Sequence, residues 1–392
     1  MKAYDVVIIG GGIHGAGVLQ AAVAAGHSAL LIERAGVAAG TSSRSSKLIH
    51  GGLRYLESGQ FALVRESLRE RAIHLRIAPE LVSLKSFYIP VYRDTRRRPW
   101  QLKVGLWIYA LLGGFDAATR FGSVPEREWP QLDGLKTEGL DAVIRYHDAQ
   151  TNDALLTRAV MKSALNLGAE LAMPARFQGA QLGDGVIVNY GTAAGSMQCT
   201  ARVLINAAGP WATQVARLIT PAIAIPDVEL VQGTHIVIAH PITAGIYYVE
   251  SPTDGRAVFV MPWEGSTLVG TTETPYRGEP DQVHPLPAEE EYLLAVVRHY
   301  FPALKGLTRG DITERFAGLR VLPAATQAAF DRSRETIFTT DRDVRPRVLC
   351  IYGGKLTGWR AAAAHVMQRI SPSLPAAMKR AETDLLILRR PT

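Results

Sequence analysis

Residues 4–15, Tyr-Asp-Val-Val-Ile-Ile-Gly-Gly-Gly-Ile-His-Gly, constrain this chain more than any other stretch. Val6 to Ile9 form a short apolar run that reads as a buried strand, and Gly10, Gly12 and Gly15 follow in the spacing G-x-G-x-x-G. Each glycine has a physical task. Gly10 permits the tight turn, Gly12 lets backbone approach a pyrophosphate, and Gly15 lets helix and strand pack closely. An alanine-rich helix is expected to about Ala25, then a second strand over 28–32 that ends at Glu33. The helix N-terminus offers unpaired N–H groups and a positive dipole end to phosphates, and Glu33 can accept a hydrogen bond from a ribose hydroxyl. Strand, turn, helix, strand and acid occur in that order, which points to a dinucleotide-binding α/β unit with a parallel sheet.

At 392 residues the chain is long enough for two domains or one large composite. A net charge of +7 suits an anionic partner, whether a phosphorylated substrate, a membrane surface or nucleic acid. No nucleic-acid motif accompanies the charge, so nucleic acid is not expected. Cys199 and Cys350 form neither a disulfide framework nor a metal motif, and both read as buried, reduced thiols of a cytoplasmic protein. No apolar run approaches the ~18 residues of a spanning helix, and the N-terminus does not read as a signal peptide.

The loop 40–57 combines Thr41, Ser42, Ser43 and Ser46 with Arg44, Lys47, His50 and Arg54, the small hydroxyls and cations of an anion cradle. A helix is expected over about 59–77 with Phe61, Val64, Leu68, Ala72 and Leu75 on its packed face. In 93–112, Arg96, Arg97, Arg98 and Lys103 flank an apolar helix with Trp100 and Trp107. That helix fits either a membrane interface or a core position. A strand at 144–148 leads to a helix capped by Thr151 or Asn152. From His235 the texture changes to short alternating strands, with Asp254-Gly255 as a hairpin signal, so a second, antiparallel sheet is expected there. A last strand, Val348 to Tyr352, enters Gly353-Gly-Lys-Leu-Thr357 and a helix over about 358–369, a second helix N-terminus able to face an anion.

Six segments carry a family resemblance: 10–15, 41–57, Asn206-Ala-Ala-Gly-Pro-Trp211, Gly233-Thr-His-Ile-Val237, Gly270-Thr-Thr-Glu273 and 353–357. Together they resemble the FAD-dependent glycerol-3-phosphate dehydrogenases of bacteria and mitochondria. The resemblance implies a Rossmann-like FAD-binding domain with a mixed sheet, formed by 1–88, 144–220 and 336–392. It implies an antiparallel-sheet (α+β) substrate domain formed by 89–143 and 221–335, without the C-terminal helical domain of relatives. FAD would be held by Gly10, Gly12, Gly15, Glu33, Thr41, Ser42, Ser43, Ser46, Lys47, Gly209, Gly354, Lys355, Leu356 and Thr357. Substrate residues would be Arg54, Tyr55 and Arg334, with Arg54 and Arg334 on phosphate, and catalytic residues His235, His50, Arg320 and Lys355. The implied reaction is oxidation of sn-glycerol 3-phosphate to dihydroxyacetone phosphate, with hydride passing to the flavin and electrons to a quinone. It implies peripheral contact with the inner face of the cytoplasmic membrane. A planar arginine fork suits phosphate oxygens, and histidine titrates where a base for the C2 hydroxyl is needed. Three other readings stand beside it: an enzyme acting on another small phosphorylated alcohol, one acting on a hydroxy acid or amino acid, and a non-catalytic flavin-binding partner. Direct use of NAD is not expected, because FAD accounts for the one dinucleotide fingerprint.

Overall fold

The computed structural model describes residues 1–324 and 336–391. Its frame is mixed α/β, built on two sheets. Among the described residues there are seven α-helices: α1 (Ile13–Ala24), α2 (Phe61–Ile77), α3 (Pro99–Leu112), α4 (Asp153–Asn166), α5 (Ala212–Ala216), α6 (Pro287–Tyr300) and α7 (Trp359–Ile370).

The first sheet has a parallel centre in the order Glu170–Ala172, Ala29–Ile32, Lys2–Ile9, Gly195–Asn206, Val348–Tyr352. Period-two alternation sorts its side chains. Val6 and Ile8 face the layer of α1, α4 and α7, while Val7 and Ile9 join the core under the antiparallel strands Ala175–Leu182 and Val186–Thr192. Helix α1 is buried on nearly all sides because it is wedged between sheet and helices. A Cβ on its Gly17 would lie 2.6 Å from the Trp359 ring. The register Ile9↔Ile32, Ile9↔Asn206 and Asn206↔Cys350 aligns the carboxyl ends of these strands along one edge. That edge is where doubly wound sheets bind ligands. Asn152 caps α4, its side chain accepting a hydrogen bond from the Leu155 N–H at 3.1 Å.

The second sheet runs Thr274–Tyr276, Val228–Ile238, Ser266–Gly270, Ala257–Trp263, Ile246–Glu250, Val82–Tyr92, Leu140–Thr151, Leu48–Ile49. Ile312–Pro323 pairs along the whole of Val228–Ile238. It is antiparallel apart from a parallel pairing of Ile246–Glu250 with Val82–Tyr92. Helix α6 packs on one face and α3 on the other. Pro287 at its first turn and Arg298 and His299 in its last suit the ends of α6.

Several local expectations change. The 144–148 strand extends over Leu140–Thr151 and belongs to the second sheet. Val82–Tyr92 contains Pro90 and Ile312–Pro323 contains Gly318 and Arg320, signals that hide strands from a pattern reading. On α2, Val64 and Leu68 are buried as expected, but Phe61 and Ala72 are exposed. The buried face instead carries Glu70, Arg71 and His74. Glu70 is paired with Arg360 of α7, and Arg71 with Asp148 at 2.6 Å. Both cysteines are buried and free, and burial pushes each thiol up to about 11. Among the described residues no helix is long and apolar enough to cross a membrane.

His74 stacks on Trp359 with ring centroids 5.6 Å apart, and neither ring nitrogen has a hydrogen-bond partner among the described residues. Burial, helped by the Arg360 charge, lowers it to about 3. The unfolded chain therefore takes up this proton first on acidification, and stability is lost as pH falls below the ordinary histidine value of about 6.5. Replacing His74 with Phe should flatten the dependence of unfolding free energy on pH by about 1.4 kcal/mol per unit between roughly pH 6 and 4. Urea titrations at stepped pH would show this, and an unchanged slope would refute it.

Candidate active site

A cavity of about 640 Å³ lies along the carboxyl edge of the first sheet and reaches the second. At one end is the glycine turn. Gly10 has φ +108°, and a Cβ there would lie 2.7 Å from the Ala207 carbonyl oxygen. A Cβ on Gly15 would lie 1.8 Å from the Gly10 carbonyl, so Gly15 serves helix–strand packing and does not line the cavity. Glu33 reaches back to the turn. Its Oε2 accepts from the Gly11 N–H at 2.6 Å, and its Oε1 from the N–H groups of Ala35 (2.7 Å) and Gly36 (3.3 Å). Oε2 thus retains a lone pair for a hydroxyl donor. The Ile13 N–H donates to Ser42 Oγ at 2.9 Å. Behind Glu33, Arg34 stacks over Trp211 (4.3 Å) and pairs with Asp281.

Of the expected cofactor residues, Gly10, Gly12, Glu33, Thr41, Ser42, Ser46, Gly209, Gly354, Lys355, Leu356 and Thr357 line this cavity. Ser43 and Lys47 do not. Lys47 is buried, at φ +60°, where its ammonium donates to Asp153 Oδ1 (2.6 Å) and to the Ser43 carbonyl (2.5 Å). Asp153 Oδ2 accepts from the N–H (2.9 Å) and hydroxyl (2.7 Å) of Ser45. Lys47 thus shapes the loop from inside.

At the other end the cavity meets the Gly353-Gly354 junction, at φ +74° and +92°, just ahead of α7. His14 packs against Gly354, and burial lowers it to about 4. Lys355 Nζ lies 3.8 Å from the centre of the Tyr55 ring. His235 is 1% exposed, stacks on Phe316 at 5.0 Å, and its Nε2 is 3.0 Å from Ser46 Oγ. Burial, then the charges of Arg320 and Lys47, hold it well below the ordinary histidine value, so it is neutral.

A second cavity of about 100 Å³ adjoins the first, and Ser46, His50, Tyr55 and Arg320 line both. Arg54 lines the small cavity alone. Arg320 donates to Glu273 Oε1 (2.8 Å) and Thr271 Oγ1 (3.2 Å). Arg334 lies outside the described residues. The structure therefore brings together His50, Arg54, Tyr55, Arg320 and Lys355 near His235.

Sequence reasoning missed Arg34, Asp281, Glu273 and the support beneath His235. That support is Glu289 of α6, a buried carboxylate accepting from Thr234 Oγ1 (2.6 Å), Gln232 Nε2 (2.6 Å), Thr274 Oγ1 (2.7 Å), Thr272 Oγ1 (2.9 Å) and the Leu286 N–H (3.1 Å). Burial alone would raise its pKa, but these hydrogen bonds prevail and lower it.

The long groove with a glycine turn and acid at one end and cations beside a buried histidine at the other is that of a dinucleotide-binding protein whose cofactor meets a second, cationic site. A family model described as FAD dependent oxidoreductase matches residues 5–366. A glycerol-3-phosphate dehydrogenase of Pseudomonas tolaasii is 34% identical over 380 residues, 95% of this chain and 72% of the relative. A D-erythritol 1-phosphate dehydrogenase of Brucella abortus is 32% identical over 386 residues, 95% of this chain and 74% of the relative. The solved glycerol-3-phosphate dehydrogenase of Bacillus halodurans, complexed with FAD, superposes with a TM-score of 0.75 at 26% identity, covering 99% of this chain and 68% of that one. The chain belongs to the FAD-dependent oxidoreductase family, in the group that contains the glycerol-3-phosphate dehydrogenases. FAD is its cofactor. The residues present fit it: a Cβ at Gly10 would close the turn, and Glu33 keeps an acceptor site at that end.

Replacing Asp153 with Asn would strand the Lys47 ammonium in a buried site. A loss of about 3–5 kcal/mol is expected, together with weaker FAD retention, because Ser45 loses its acceptor. Chemical denaturation and flavin content after desalting would measure both, and a variant as stable as the parent would contradict this account.

Proposed function

We propose that the chain oxidises sn-glycerol 3-phosphate to dihydroxyacetone phosphate. The observation that carries this reading is the small cavity lined by Arg54, which meets the long one at His50, Tyr55 and Arg320. FAD, when bound, supplies the acceptor for the hydride that leaves C2. The remaining tasks fall to the chain's own residues. Arg54 binds the phosphate. His235 accepts the proton of the C2 hydroxyl, its neutral state keeping it ready as a base. His50 is the second candidate for that role, since it lines both cavities. Arg320, steadied by Glu273, polarises the oxygen that becomes the carbonyl. Tyr55, held under Lys355, closes the wall between the cavities. The Brucella abortus relative supports a second reading, a four-carbon polyol phosphate as substrate.

We further take the electron acceptor to be a quinone and the protein to rest on a membrane surface. On α3, Leu102, Leu106, Tyr109 and Ala110 are buried. Trp100, Val104, Trp107 and Leu111, spaced for one helical face, are 51–66% exposed. Arg93, Arg96, Arg98 and Lys103 stand exposed beside this stripe. An apolar stripe flanked by cations suits the interface of an anionic bilayer.

Adding glycerol 3-phosphate to the protein without oxygen should bleach the flavin band promptly. Bleaching only by a four-carbon polyol phosphate would favour the second reading, and none by either would overturn both. Replacing His235 with Asn should lower the rate of flavin reduction by roughly 10²–10⁴-fold. Because its pKa is depressed, the acid limb of kcat/KM in the parent should lie below the ordinary histidine value of about 6.5. If instead the His50→Asn variant shows the larger loss, the base is His50. The parent should cosediment with phosphatidylglycerol vesicles but weakly with phosphatidylcholine vesicles, and Trp107→Asp should release it. Equal sedimentation of parent and variant would dismiss α3 as the contact.

A further inference from the structure

The small cavity carries a cation that the hydride chemistry does not use. Arg256 follows the Asp254-Gly255 turn between the strands Ile246–Glu250 and Ala257–Trp263, and it is among the residues that line this cavity. It is held on three sides. Its N–H donates to Asp254 Oδ1 (3.1 Å) and its Nε to Asp254 Oδ2 (2.7 Å). Its Nη1 donates to the Glu273 carbonyl oxygen at 3.4 Å, and its Cζ lies 5.2 Å from the centre of the Tyr292 ring. The contacts thus set the guanidinium plane at the cavity.

Position adds to this. Ser46, His50, Tyr55 and Arg320 line both cavities and so mark their junction, where C2 must sit to meet both a base and the flavin. Arg54 and Arg256 line only the small cavity, beyond that junction. They come from different parts of the fold, Arg54 from the 3-10 turn Leu53–Leu56 and Arg256 from the hairpin loop just before the strand Ala257–Trp263 of the second sheet. The two carboxylates in the same wall are already ion-paired, Asp148 with Arg71 at 2.6 Å and Glu273 with Arg320 at 2.8 Å. Among the described residues, a dianion entering here meets the guanidinium groups of Arg54 and Arg256, with Arg320 at the junction, and carboxylates that are already engaged.

We propose that Arg256 is a phosphate-binding residue, holding the phosphate of the substrate together with Arg54. This deepens the proposed reaction and rests on it for the identity of the phosphorylated compound. Loss of a charge-assisted hydrogen bond weakens binding by roughly 10- to 100-fold. Arg256→Gln should therefore raise KM for glycerol 3-phosphate by about that factor while kcat changes less than about threefold, the mark of binding shared by ground and transition states. Selectivity for glycerol 3-phosphate over glycerol should fall by the same factor, which a merely structural role would not produce. Arg256→Lys keeps the charge but loses the planar fork, and its KM should lie between parent and Gln variant. Inorganic phosphate supplies an assay independent of turnover: its dissociation constant, read from perturbation of the flavin spectrum, should rise in the Gln variant by a similar factor.

Unchanged KM and unchanged phosphate binding in the Gln variant would overturn the proposal and leave the dehydrogenase reading intact. If the parent is not reduced by any polyol phosphate, that reading fails, and the phosphate titration alone decides for Arg256. Should the Gln variant not fold, the Lys variant decides, and a KM equal to the parent's would overturn the assignment.

Discussion

The active site depends first on the buried pair of Lys47 and Asp153. An ammonium at 6% side-chain exposure and a carboxylate at 0% survive inside a protein only because each satisfies the other. Their partners explain what the pair holds together. Asp153 opens α4, a helix of the first sheet's layer, while Lys47 precedes Leu48–Ile49, a strand of the second sheet. The loop that ends at Lys47 supplies Thr41 and Ser42 to the flavin cavity and Ser46 to the contact with His235. Thr41 ties the same loop to the Leu319 carbonyl of the second sheet at 2.9 Å. One ion pair therefore registers the two sheets against each other where flavin and substrate must meet.

The second sheet solves a related problem with hydrogen bonds. His235 is useful only where it is buried, and a buried strand end tolerates little slack. Glu289 removes that slack by accepting from Thr234 next to the histidine and from Thr272 and Thr274 on the facing segment. The carboxylate is charged, saturated with donors and lines neither cavity, so it steadies the site without entering the chemistry.

What was legible in the sequence was local. The glycine turn, the acid that ends the second strand and the Gly-Gly junction before α7 each depend on neighbours within a few residues, and all three reach the cavity as expected. The apolar stretch of α3 was legible as a helix, but its two faces were not, because burial on one side comes from strands far along the chain. Lys47 shows the limit in the other direction. Among serines it looked like a cofactor cation, yet its partner sits 106 residues later and turns it inward. Arg256, Asp281 and Glu289 carry no local signal of a site at all. Their neighbours are assembled by strand pairing, and a one-dimensional pattern contains no term for that.

Chain order has a consequence for biosynthesis. The cavity is walled by residues 9–12 at its start and by 353–357 at its end, and Gly195–Asn206 lies in the sheet between Lys2–Ile9 and Val348–Tyr352. On the ribosome, the first strand waits nearly two hundred residues for one neighbour, and the nucleotide groove cannot close until the last strand has emerged. Such long-range pairing is slow to form and leaves apolar edges open meanwhile. Closure of the flavin groove therefore waits for the strand Val348–Tyr352 to pair with Gly195–Asn206.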